Sequence, residues 1–68
     1  METIKLTNTA KAVLTALNEI EPVQIKTIQK ITEMERMKVL SGLLELELFG
    51  IIRQFPGKYF VRIGGIFK

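Results

Sequence analysis

The chain has 68 residues and contains no cysteine, no histidine and no aspartate. Without cysteine no disulfide can staple so small a domain. Without histidine, cysteine and aspartate the usual zinc and calcium ligand sets are missing, so no metal or cofactor is expected. The common nucleophile–base pairs cannot be assembled either. Ser41 is the single serine. Glu45 and Glu47 are two residues apart, which on a helix aims them in different directions and makes a poor carboxylate pair. An enzymatic role is therefore not expected. Long apolar runs are absent as well. Nothing approaches the roughly 18 apolar residues that a membrane span needs. The first residues lack the basic-then-apolar pattern of a signal peptide, so none is expected. There is no low-complexity tract and no internal repeat. These absences fit a protein of the reducing cytoplasm, with no membrane partner.

What is present is apolar density. Hydrophobic residues make up 47% of the chain, dominated by leucine and isoleucine. A chain of this length forms one domain. It buries only roughly 60% of the surface that its unfolded form exposes. Its core supplies about 3–5 kcal/mol of net stability and must hold the fold alone. The net charge is +3, and its distribution is uneven. Residues 1–34 carry four lysines and four glutamates, which cancel. Residues 35–68 carry Arg36, Lys38, Arg53, Lys58, Arg62 and Lys68 against Glu35, Glu45 and Glu47. The excess in the second half favours an anionic partner there. Solubility alone is the other reading of so small an excess.

Residues 1–6, which alternate polar and apolar at Thr3, Ile4, Lys5 and Leu6, read as a lead-in that is either a short strand or frayed. Thr7 or Asn8 can cap a first helix. Ala10, Val13, Leu14, Leu17 and Ile20 recur at three- and four-residue steps and give it one apolar stripe. Glu21-Pro22 should end it, because the residue before proline is pushed out of the helical region. A second helix fits Val23 to Ile31, with Val23, Ile25, Ile28 and Ile31 inward. Thr32 and Glu35 have the spacing of a capping box for a third helix. That helix carries one apolar row of Val39, Leu43 and Leu46 and a second of Met37, Leu40, Leu44 and Leu48. Arg36, Lys38, Ser41, Gly42, Glu45 and Glu47 are left outside. The Leu44–Leu48 alternation by itself reads as a strand, but the capping signal before it and Gly50 after it favour helix.

Past Gly50 the chain is β-like. Ile51 to Phe55 is rich in β-branched residues, Pro56-Gly57-Lys58 is a turn, and Tyr59 to Ile63 alternates. Tyr59, Val61 and Ile63 share one face, with Phe60 and Arg62 on the other. Gly64-Gly65 then releases a short tail. The predicted fold is mainly α with a small β-hairpin: a winged helix-turn-helix of three helices plus wing. Its expected bounds are 7–64, between the lead-in 1–6 and a tail 65–68.

The stretch from Leu43 to Arg62 resembles the C-terminal winged-helix domain of the DNA-processing protein A family, DprA or Smf. That family's domain ends with a Leu-Glu-Leu-Glu-Leu run, a glycine, two aliphatics and a Pro-Gly turn, followed by an aromatic and a basic residue. Here these are Leu44-Glu45-Leu46-Glu47-Leu48, Gly50, Ile51-Ile52, Pro56-Gly57, Tyr59 and Arg62. The turn departs from the two glycines common in the family, because Lys58 follows Gly57. The resemblance implies an excised domain of a longer protein. Full-length members carry a Rossmann-like domain that binds single-stranded DNA and helps load RecA in natural transformation. This chain has no Gly-rich phosphate motif and no room for that domain.

A helix-turn-helix places the N-terminal part of its second helix in the major groove. On that surface stand Arg36, Lys38, Ser41 and Gly42, the last two small enough for close approach. Arginine and lysine donate to guanine edges, and serine contacts base edge or phosphate. Lys26 and Lys30 are placed for the flanking backbone, and Arg53, Lys58 and Arg62 for phosphates at the wing. Tyr59 either stacks on an unpaired base or belongs to the core. The expected partner is DNA, single- or double-stranded. The alternative is a docking or self-association module with no DNA contact of its own. Its partner would be the parent's Rossmann-like domain, RecA, a competence protein or a second copy. Two apolar rows on one helix, with Phe49, Phe55, Phe60, Ile66 and Phe67, supply the motive, since exposed apolar patches mark contact sites.

Overall fold

The computed structural model describes residues 5–63. Residues 1–4 of the lead-in expected at 1–6, and Gly64-Gly65 with the Ile66, Phe67 and Lys68 that follow, lie outside the described residues. Three helices and a three-stranded antiparallel sheet run in the order α1 (Asn8–Thr15), β1 (Val23–Gln24), α2 (Ile25–Thr32), α3 (Arg36–Leu48), β2 (Ile52–Phe55) and β3 (Tyr59–Arg62). This is the winged helix-turn-helix expected from the sequence, with one strand more than its hairpin.

Thr7 caps α1: its hydroxyl accepts the Ala10 N–H at 3.1 Å. The same hydroxyl donates to Glu45 on α3 at 2.7 Å, and the Thr7 N–H donates to the other carboxylate oxygen at 3.0 Å. A carboxylate thus sits at the positive end of α1 and ties that end to the third helix. The first helix is shorter than its apolar stripe suggests. Ala16 and Leu17 close it with tighter, three-residue bonds to Val13 and Leu14. Asn18 Oδ1 then accepts the N–H groups of Ile20 and Glu21, so the side chain takes donors a longer helix would have used. Ile20, expected on the stripe, is 87% exposed.

The second helix begins at Ile25, two residues later than expected, because Val23 and Gln24 form β1. They pair with Phe60 and Tyr59, which puts β3 in the centre of the sheet, in the order β1-β3-β2. Ile25 and Ile28 are buried, while Ile31 lies outside. The capping box between Thr32 and Glu35 does not form. Thr32 instead finishes α2: its hydroxyl donates to the Ile28 carbonyl and accepts the Met34 N–H. Glu33 takes the left-handed conformation at φ 60°, and α3 starts only after Glu35, which provides no side-chain cap. Half-buried Met34 packs on the core at this turn, as expected.

The third helix ends as its glycine suggests. Gly50 has φ 74°, its N–H donates to the Glu47 carbonyl, and the Ile51 N–H reaches the Leu46 carbonyl. This pair of bonds is a Schellman motif, and its apolar partners Leu46 and Ile51 are both fully buried. Val39, Leu43 and Leu46 pack with Ala10, Val13, Leu17, Ile28, Ile52 and Phe60 in one core. Phe60, counted from the sequence as spare apolar surface, is a core residue at 5% exposure.

Gly42 also points inward. It was expected on the outer surface with Ser41. An added Cβ would lie 2.8 Å from Val13 Cγ2 and 3.3 Å from the Thr9 carbonyl oxygen. Only a residue without a side chain lets α1 and α3 approach this closely. Gly42 is therefore shielded from any groove of DNA.

Candidate nucleic-acid interface

The turn from β2 to β3 decides where the wing's charge goes. Phe55 and Tyr59 face each other across a three-residue loop of Pro56, Gly57 and Lys58. Gly57 has φ 90° and Lys58 φ 63°. Two successive left-handed residues fold the loop sharply, and Lys58 reaches it against the preference of a side chain with a Cβ. The result brings Lys58 beside the start of α2 and the start of α3. Gln24, Ile25, Lys26, Arg36, Gly57 and Lys58 line one concavity of about 240 Å3.

Three cations from three elements rim this space, and no carboxylate lines it. Gln24 gives α2 no side-chain cap, so the first turn of that helix keeps its positive end on the same side. Lys26, Arg36 and Lys58 were each legible as candidates. Their convergence was not. An adjoining concavity of about 340 Å3 shares Ile25, Arg36 and Lys58 and runs between α3 and the wing. Its walls are apolar, with Leu40, Leu43, Leu44 and Phe60, and Glu47 and Gln54 stand among them.

The other candidates are dispersed. Lys30, Lys38 and Ser41 are exposed on their helices and line neither concavity. Gln54 and Phe60 face α3, so Arg53 and Tyr59, which alternate with them, stand on the far side of the wing. Tyr59 there is partly exposed, not core. Arg62 lies at the end of β3 away from the turn. Its guanidinium is 3.9 Å from Glu19, and its N–H donates to the Asn18 carbonyl. The concavity thus gathers three of the basic residues read from the sequence and leaves the others around it.

Comparison with protein families settles the lineage: the sequence model described as the DprA winged helix domain matches residues 2–58. The chain belongs to this family. No curated protein and no solved structure matches it. The matched part of this DprA winged helix domain holds all three helices, β1, β2 and the turn that carries Lys58, and it stops before β3. All three rim cations lie within the match, whereas Tyr59 and Arg62 lie beyond it. Among the described residues no helix is long and apolar enough to cross a membrane.

Proposed function

We propose that this domain makes weak, non-enzymatic contact with DNA through the concavity rimmed by Lys26, Arg36 and Lys58. It acts as an accessory to a cytoplasmic DprA-like parent that binds single-stranded DNA and helps load RecA in natural transformation. The observation that carries this reading is the meeting of three cations from α2, α3 and the wing turn around a space with no carboxylate in its lining. Phosphate is the anion such a rim suits, and family membership supports a nucleic acid as its source. Lys30, Lys38, Ser41 and Arg53 provide outlying contacts, and Tyr59 a stacking surface on the far side of the wing.

Fluorescence anisotropy with labelled single- and double-stranded oligonucleotides, from low to physiological salt, tests it. Three phosphate contacts give a log–log salt slope of about −2.7 on duplex and about −2.1 on single strands. Arg36→Ala or Lys58→Ala should each weaken binding and flatten the slope by about one unit. Absence of binding at low salt sinks the reading. A second reading, docking to a protein partner or self-association, is favoured by the exposed apolar row on α3.

A further inference from the structure

The outer face of α3 carries Met37, Ser41, Leu44 and Leu48 at alternating four- and three-residue steps, with half-buried Leu40 at its edge. Met37 is 72% exposed, Leu44 59% and Leu48 78%. That spacing is a coiled-coil seam. It runs nearly the whole of a helix about 20 Å long. No described residue covers these side chains. The charges that flank the seam say what would.

Arg36 and Glu47 lie along one flank, the flank beside the wing, where both border the apolar concavity. Lys38 and Glu45 lie along the other, where Glu45 is already held by Thr7 at the N-terminus of α1. On each flank the cation is near the start of the helix and the anion near its end. Both pairs are centred on the same point, between Ser41 and Gly42. Two such helices packed antiparallel about a two-fold axis through that point place each flank against the same flank of the partner. Arg36 of one copy then meets Glu47 of the second copy, and Lys38 meets Glu45. Each contact occurs twice. Small Ser41 sits beside the axis, where the helices come closest. In a parallel pair the same residues would set like charge against like charge.

We propose that the outer face of α3 is a homodimer interface, in which two copies of this chain pack their third helices antiparallel across the Met37–Leu48 seam. This surface goes beyond the proposed DNA contact and shares with it Arg36 of the concavity and the outlying Lys38 and Ser41. One helix face is small for an interface, below the roughly 1,200 Å2 of total area at which stable complexes begin, so the dimer is weak and concentration-dependent. The seam is apolar enough to need a cover, and the ends are charged in the order that admits only the reversed orientation.

Sedimentation equilibrium of the chain over roughly micromolar to millimolar concentration is the first measurement, at low and high salt. The expected result is a reversible rise from the 7.8 kDa monomer to twice that mass, weakened by salt. Leu44→Glu, on an exposed position, should leave the circular dichroism of the fold unchanged and weaken association by at least about tenfold. The orientation is tested by two charge variants. Arg36→Glu alone and Glu47→Arg alone each set like charges across one flank and should remain monomeric. Mixed in equal amounts they become complementary and should form a heterodimer. Monomer at every concentration, a dimer indifferent to Leu44→Glu, or variants that stay monomeric on mixing would each overturn the proposal. None of these measurements uses DNA, so their outcome is independent of the anisotropy experiment.

Discussion

Leu46 and Leu48 stand two residues apart on α3 and occupy opposite environments: the first is fully buried, the second 78% exposed. The same division runs along the whole helix. Val39, Gly42, Leu43 and Leu46 face α1 and the core, while Met37, Ser41, Leu44 and Leu48 face outward. Each row contains one small residue and three apolar ones. What separates them is not composition but the approach of α1. The inner row has its glycine where α1 passes close, and the outer row has a serine there, whose hydroxyl would be stranded in that crossing. One missing Cβ selects the face that goes in.

The contrast can be broken most severely at its deepest point. Leu46→Ala should cost about 2–5 kcal/mol, because a fully buried leucine loses both its transfer energy and its packing. That is the order of the whole domain's stability, so the variant should be largely unfolded in urea or thermal melts. Leu48→Ala, two residues on, should stay within about 0.5 kcal/mol of the parent chain. Equal effects would mean that the inner and outer rows are not distinct.

Next in size is the crossing itself. Gly42→Ala gains about 0.8–1 kcal/mol of helix propensity and loses about 1–3 kcal/mol to overlap with Val13 and the Thr9 carbonyl. The net change should be destabilising and should be partly relieved when Val13→Ala is added. Ser41→Ala, on the outer face, should be neutral or slightly stabilising. A stabilised Gly42→Ala would show that the helices can part without loss.

The smallest test concerns the edge where the two faces meet. Thr7→Ala removes the cap of α1 and the hydroxyl bond to Glu45, at a cost of about 0.5–2 kcal/mol in unfolding free energy, read from urea denaturation. Glu45→Gln should cost less, since an amide oxygen still accepts from Thr7. The ordering Thr7→Ala above Glu45→Gln is what a cap shared by both elements requires.

The parts of this fold that could be read from the sequence are those with a local cause. Gly50 followed by two isoleucines announces a Schellman closure, and Pro56-Gly57 announces the hairpin turn. The two apolar rows of α3 were visible, but a period cannot say which row is covered, and that uncertainty misplaced Gly42. Asn18 ends α1 by an interaction that leaves no trace in the apolar spacing, so Ile20 was read as part of a helix it does not join. Thr32 and Glu35 have the spacing of a cap, yet Thr32 was already engaged at the end of α2. Strand β1 is two residues long, and its reason for existing is Tyr59-Phe60, far down the chain. The site divides in the same manner. Lys26, Arg36 and Lys58 were legible one by one from charge. Their meeting depends on β1 and on the left-handed turn at Lys58, and the position of Arg62 beside Glu19 depends on the Asn18 turn.

The pairing of β1 has a consequence in time. Val23 finds Phe60 more than half the chain length later, whereas the other strand pairing and the helix closures join near neighbours. Closing so wide a loop is entropically costly and is rewarded only once both ends have formed. The hairpin, whose two strands are neighbours in sequence, can therefore form while the start of α2 is still unanchored. Lys26 reaches its place beside Arg36 and Lys58 only once the pairing of β1 with β3 has closed. The cationic concavity should then form after the hairpin whose turn carries Lys58.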